Sequence, residues 1–132
     1  MEKKFELVKK AYENAYAVYS NFKVGAVLVL KNGEYIIGAN VENASYGLSN
    51  CAERTALFTA YANGYRKDDI LELVVIGNTD QPISPCGACR QVICELMNAD
   101  AIITMTNLKG DIKSVKVEDL LPFAFKEGDL ND

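Results

Sequence analysis

Three observations predict an α/β protein for this 132-residue chain, a three-layer α/β/α sandwich around a mixed five-stranded sheet. An Asn32-Gly33 pair stands between two apolar runs rich in β-branched residues, the mark of a tight antiparallel hairpin. Further along, apolar runs of strand length alternate with helical patterns, which calls for parallel strands joined through helices. No linker, repeat or low-complexity stretch divides the sequence, so residues 1–132 are expected to form one domain.

Each element follows from a local pattern. Phe5, Val8, Tyr12, Ala15 and Tyr19 recur at spacings of three and four, predicting an amphipathic first helix. Phe22 to Leu30 and Tyr35 to Ile37 form the two arms of the hairpin. Gly38 to Asn50 is rich in Asn, Ser and Gly and reads as a loop. Cys51 opens a second helix that Gly64 ends. Leu71 to Gly77 and Ala101 to Thr106 read as buried strands. Between them Ser84-Pro85 looks like an N-cap followed by proline at the first helical position, opening a helix to about Met97. Asn107 to Gly110 is a turn, Ile112 to Val115 a short strand, and Val117 to Leu121 a short helix stopped by Pro122.

Composition removes several function classes. Eighteen acidic against 14 basic side chains give a net charge of −4, with no run of Lys or Arg. A phosphate backbone is bound through a basic footprint, so no nucleic-acid partner is expected. No apolar stretch reaches the length of a membrane span, and MEKKFELVKK lacks the apolar block of a secretory signal. A cytoplasmic chain with no membrane partner is the expectation.

There is no histidine, and the four cysteines are Cys51, Cys86, Cys89 and Cys94. Every mechanism that uses imidazole as base or ligand is thereby excluded, and thiolates and carboxylates must carry the chemistry. Two disulfides would need an oxidising compartment and a core too small to stand alone, and neither fits this chain. Cys86 and Cys89 are three apart at a helix start, about 60° apart around the axis, where the positive helix end lowers thiol pKa. Cys51 opens the preceding helix and brings a third sulfur. Three thiolates suit zinc and leave its fourth position open, the arrangement of a catalytic site. Cys94, about 140° around and roughly 7 Å beyond Cys89, is out of reach and reads as a small buried hydrophobe.

Glu53, two residues past Cys51, is the candidate general base and acid, moving a proton from water to a substrate nitrogen. Arg54 follows Cys51 by three and Arg90 follows Cys86 by four, spacings that set each guanidinium beside a thiolate. Both are expected to donate to ligand sulfurs and to offset the negative charge of three thiolates on one zinc. The alternative for each is an ordinary exposed salt bridge.

Cys51-Ala52-Glu53 and Pro85-Cys86-Gly87-Ala88-Cys89 resemble the zinc-dependent nucleoside and nucleotide deaminases, whose pattern is H-x-E…P-C-x-x-C with cysteine allowed at the first ligand. Within them the chain is similar to the small homotetrameric cytidine deaminases. The likeness extends through Cys-Ala-Glu-Arg-Thr-Ala at 51–56, Ser-Pro-Cys-Gly-Ala-Cys-Arg-Gln at 84–91, the segment 15–26, Asn40 to Tyr46, and Leu120-Leu121-Pro122. That resemblance implies one zinc per subunit and hydrolytic deamination of cytidine and deoxycytidine to uridine and deoxyuridine, with release of ammonia, in pyrimidine salvage. It also implies that Asn40 and Glu42 bind the ribose 3′-hydroxyl, that Phe22 packs on the pyrimidine, and that the Ala52 backbone contacts the base carbonyl. Tyr46 and Phe125 are implied to reach into active sites of neighbouring subunits of a D₂ tetramer. Phe123 is an alternative for that aromatic, although Phe125 fits the spacing from Pro122 better.

One departure is Val18, where the family usually has proline. Losing proline's restraint on the unfolded chain costs roughly 0.4–1 kcal/mol and removes no catalytic group. Among rival readings, blasticidin S deamination shares both cysteine motifs, whereas the Glu-Arg-Thr-Ala continuation and the Asn40/Glu42 pair favour cytidine. A structural zinc or RNA-binding module would want a fourth ligand and a basic face. A thioredoxin-like dithiol would leave Cys51 and Glu53 unexplained.

Overall fold

A computed structural model describes residues 2–124. Its helices are α1 (Lys3–Glu13), α2 (Ala52–Ala62) and α3 (Gly87–Leu96), and its strands β1 (Val24–Leu30), β2 (Tyr35–Ala39), β3 (Ile70–Gly77), β4 (Ile102–Asn107) and β5 (Ile112–Lys116). Single 3₁₀ turns lie at Tyr46–Leu48, Lys67–Asp69 and Val117–Asp119. The five strands form one mixed sheet in the order β2-β1-β3-β4-β5. β1 is antiparallel to both β2 and β3, β3 is parallel to β4, and β5 returns antiparallel to β4. Thus β2, β3 and β4 point the same way, and α2 and α3 connect them as the alternating pattern predicts.

Alternation along the strands sorts the two faces. Ala26, Leu28, Leu73, Val75, Ile103 and Met105 pack with α2 and α3 on one side. Val27, Val74 and Ile76 pack with Val8 of α1 on the other. Two glycines allow the helices to lie flush on the sheet. A Cβ on Gly25 would collide with the backbone nitrogen of Tyr12, and one on Gly38 would stand 2.5 Å from the carbonyl oxygen of Ala52 and 2.6 Å from the nitrogen of Ala56. Gly38 thus seats the first turn of α2 directly on β2. At the hairpin, Gly33 has φ 89°, the left-handed conformation that the Asn-Gly turn requires.

The structure corrects the expected boundaries in several places, beginning with β2, which runs to Ala39, two residues into the expected loop. α1 ends at Glu13, with the Asn14 amide shared between the carbonyls of Lys10 and Ala11. Ala15 and Tyr19 therefore lie outside it despite their helical spacing. A cross-chain pairing takes that backbone instead: Tyr16 forms a parallel bridge with Val41, its amide donating to the Asn40 carbonyl at 2.9 Å. Phe22 and Lys23 precede β1, because their surroundings are bonded to the Asn40 side chain rather than to a sheet ladder. The cap of α3 is Cys86, not Ser84, and Pro85 lies before the helix; the Cys86 sulfur accepts from the Cys89 amide at 3.5 Å. The last predicted helix is one 3₁₀ turn, Val117–Asp119, in which the Asp119 carboxylate accepts from the Lys116 amide.

Candidate active site

The loops following β2 and β3 lead from the C-terminal ends of these strands to the N-termini of α2 and α3. Cys51 caps α2 and Cys86 caps α3, and Cys89 lies in the first turn of α3. The sulfurs of these three residues lie within 4.8 Å of one another, and Cys51 and Cys86 are 4.0 Å apart. All are free thiols. Zinc–sulfur bonds of about 2.3 Å at tetrahedral angles separate sulfurs by roughly 3.8 Å, so the trio is close to the spacing that zinc needs. The donor set fits the ion, and the cluster can hold it. Cys94 lies outside this cluster, half-buried against the apolar core where the sequence predicts full burial.

Electrostatics differ sharply within the trio. Hydrogen bonding with Cys89 and the guanidinium of Arg54 bring the Cys51 thiol down to about 5, against the cost of its partial burial. The shared hydrogen bond and complete burial drive Cys89 the other way. Arg54 Nη2 donates to the Cys51 sulfur at 3.2 Å, and that bond raises the pKa of the guanidinium. Two residues past Cys51, Glu53 is only 4% exposed. Burial raises its carboxyl above the ordinary carboxylate range, with the charge of Cys51 adding to the shift and its own amide and the Cys89 thiol opposing it. A buried carboxyl that holds a proton more tightly is suited to moving one near neutral pH.

Beside the sulfurs opens a cavity of about 530 Å³. Phe22, Asn40, Glu42, Ala52, Glu53 and Arg54 line it together with Cys51 and Cys86, so residues far apart in sequence meet at one site. The pair Asn40 and Glu42 is already engaged with the chain. Asn40 Oδ1 accepts from the Val24 amide and Nδ2 donates to the Phe22 carbonyl, both at 2.9 Å. Glu42 accepts from the amides of Tyr19 and Ser20, each at 3.0 Å, and from the Ser20 hydroxyl. An antiparallel bridge between Val41 and Asn50 closes the loop that carries Glu42 back to Cys51. Tyr46 lies in the 3₁₀ turn of this loop, while Phe125 lies outside the described residues. Phe123 is fully exposed.

Arg90 does not behave as the spacing predicts. Its Nε donates to the Pro85 carbonyl and its Nη1 to the Leu120 carbonyl, both at 2.9 Å, and its Nη2 to the Ser84 hydroxyl. Four residues past its cap, where Arg54 is three past Cys51, the side chain reaches the strand-to-helix loop and the end of the last 3₁₀ turn instead of a sulfur. Ser20, Ile83 and Ser84 also line the cavity, and the sequence does not single them out for it. Only Ser84 carries a signal, and its pairing with Pro85 gives it the look of a helix cap.

Three metal-ready sulfurs beside a proton-holding carboxyl divide labour as in the zinc-dependent hydrolytic deaminases, with the ion acting as Lewis acid and the carboxyl as proton carrier. The sequence model of the cytidine and deoxycytidylate deaminase zinc-binding region matches residues 1–106, and the chain belongs to that family. Among its relatives, a cytidine deaminase from Halalkalibacterium halodurans is 54% identical, over 93% of this chain and 92% of that protein. A crystal structure of cytidine deaminase from Burkholderia pseudomallei superposes with a TM-score of 0.91 at 54% identity, covering 95% of this chain and all of that one. The cytidine deaminase of Mycobacterium tuberculosis gives a TM-score of 0.76 at 34% identity, covering 91% and 92% of the two chains.

Proposed function

We infer that this chain is a zinc-dependent cytidine deaminase, hydrolysing cytidine and deoxycytidine to uridine and deoxyuridine with release of ammonia, in pyrimidine salvage. The observation that carries the reading is the buried Glu53 carboxyl beside the sulfurs of Cys51, Cys86 and Cys89, facing a cavity of nucleoside size. Cys51, Cys86 and Cys89 would hold the ion. When bound, zinc makes water acidic enough to act as a nucleophile near neutral pH.

Glu53 takes up a proton at a carboxylate oxygen and delivers it to N3 of the cytosine ring, which makes C4 electrophilic. The water that gave up that proton joins C4 through its oxygen; Glu53 takes the second proton from this oxygen and passes it to the amine, and the C4–N4 bond breaks to release ammonia. Burial of Glu53 raises its affinity for a proton, which suits it to carry each of the two protons in turn. Phe22, 42% exposed at the cavity wall, packs on the pyrimidine, and the Ala52 backbone contacts the base carbonyl. Asn40 and Glu42 bind the ribose 3′-hydroxyl. Arg54 draws charge from the Cys51 thiolate.

The protein acts in the cytoplasm as a homotetramer, with Tyr46 and Phe125 completing neighbouring sites. Aromatic and apolar side chains of the segments that carry cavity residues (Tyr16, Tyr19 and Leu48) are exposed in the single chain, which supports burial against other copies. Among the described residues no helix is long and apolar enough to cross a membrane.

Purified, zinc-loaded protein incubated with cytidine tests the reading through the ultraviolet change as uridine forms. Turnover is expected. A folded, zinc-bound protein that leaves cytidine intact but deaminates blasticidin S would move the chemistry to that substrate.

A further inference from the structure

The segment between α1 and β1 folds around side chains of the cavity, and Ser20 is the point where its contacts converge. The Ser20 hydroxyl donates to Glu42 Oε2, and Ser20 Oγ accepts from the Phe22 amide at 3.1 Å. Its backbone amide donates to Glu42 Oε1, beside that of Tyr19. Between Ser20 and Phe22, Asn21 has φ 58°, a left-handed conformation that costs energy for any residue with a Cβ. The turn is held where it is by bonds on either side of it, which run to Glu42 and Ser20, from the Asn21 amide to the Ala17 carbonyl, and from the Asn40 side chain to the Phe22 carbonyl. Ser20, Phe22 and Glu42 all line the cavity.

A carboxylate offers about four lone-pair positions. Two amides and one hydroxyl of the Tyr19–Ser20 turn occupy three of them on Glu42, leaving about one for a donor from a ligand. The same three donors favour the ionised form and so keep the carboxylate an acceptor. Fixing the carboxylate beforehand lowers the entropy lost when a ligand hydroxyl engages it.

We propose that Ser20 is a positioning residue for substrate: through its hydroxyl it fixes the Glu42 carboxylate that receives the sugar hydroxyl. The inference rests on the reading of the cavity as a nucleoside site. It predicts that Ser20 acts on sugar binding and leaves the proton transfers at Glu53 alone.

The test compares Ser20→Ala and Ser20→Thr with the unaltered zinc-loaded protein on cytidine and on 3′-deoxycytidine, which lacks the hydroxyl assigned to Glu42. A hydrogen bond to a charged group typically carries a factor of about 10 or more, so Ser20→Ala should raise KM for cytidine about tenfold and change kcat by less than about twofold. Ser20→Thr, which keeps the hydroxyl, should restore KM to within about twofold. On 3′-deoxycytidine the penalty of Ser20→Ala should shrink to about twofold or less. Equal penalties on both nucleosides, a fall in kcat alone, or no effect on either would overturn the proposal while cytidine turnover by the unaltered protein stands. Failure of the unaltered protein to turn over any cytidine would overturn the nucleoside reading and this inference with it.

Discussion

Arg54 Nη2 lies 3.2 Å from the sulfur of Cys51, one helical turn back along α2. The bond ties a permanent cation to the thiolate that opens the helix, and so acts on the metal through its ligand. Arg54→Gln removes the charge and keeps a shorter donor. In metal-free protein the Cys51 thiol should rise from about 5 toward the ordinary range, followed by thiolate absorbance in a pH titration. Zinc affinity should fall by about 10–100-fold, read by chelator competition.

Glu53→Gln should fold, retain zinc and lose roughly 10²–10⁴-fold in kcat, because the amide keeps the shape but cannot move a proton. Metal analysis and turnover on one preparation check both halves. An active Glu53→Gln variant would remove the proton carrier from the mechanism.

Arg90 gives the contrasting result. It ties the loop before α3 to the Leu120 carbonyl, so Arg90→Gln should destabilise the fold by roughly 1–3 kcal/mol through unsatisfied oxygens, measured by urea unfolding. Its effect on the Cys51 titration should be negligible, unlike that of Arg54→Gln.

Glu42 predicts a pH dependence. The Ser20 hydroxyl and the amides of Ser20 and Tyr19 lower its folded-state pKa. A lowered folded pKa contributes stability that is fully present above the unfolded value, about 4.3, and is lost as pH falls through the folded value. Glu42→Gln should therefore flatten the acid-side fall in stability, seen by urea unfolding at a series of pH values below about 5.

Gly38→Ala should cost roughly 1–3 kcal/mol, since the added methyl meets backbone atoms of α2 that no rotamer change can move. Displacement of the first turn should also weaken zinc retention, because that turn follows directly on Cys51. Thermal melts with and without chelator separate the two effects.

Much of this protein is legible in short stretches of its sequence. The Asn32-Gly33 hairpin, the helix that Gly64 ends, and the cysteines with Glu53 all rest on patterns a few residues long. What escapes such patterns depends on partners distant in the chain. Glu42 bonds to Tyr19 and Ser20 more than twenty residues earlier, and Arg90 reaches Leu120 thirty residues later. The end of α1 departs from its periodicity for the same reason, since Tyr16 and its neighbours answer to Asn40, Val41 and Glu42. Ser84 looks like a helix cap because the Ser-Pro pair is a common one, yet the Cys86 sulfur does that work two residues on.

The sheet order also bears on when the site comes into being. β1 lies between β2 and β3, pairing Val24 with Gly77 across more than fifty intervening positions, and Cys51 and Cys86 extend from the strands on either side of it. Such non-local pairing is slow to form. A nascent chain whose hairpin has not yet joined β3 holds its sulfurs apart and has no three-thiol trap to offer. The complete three-sulfur site therefore depends on the pairing of β1 with β3, and not on the two helices alone.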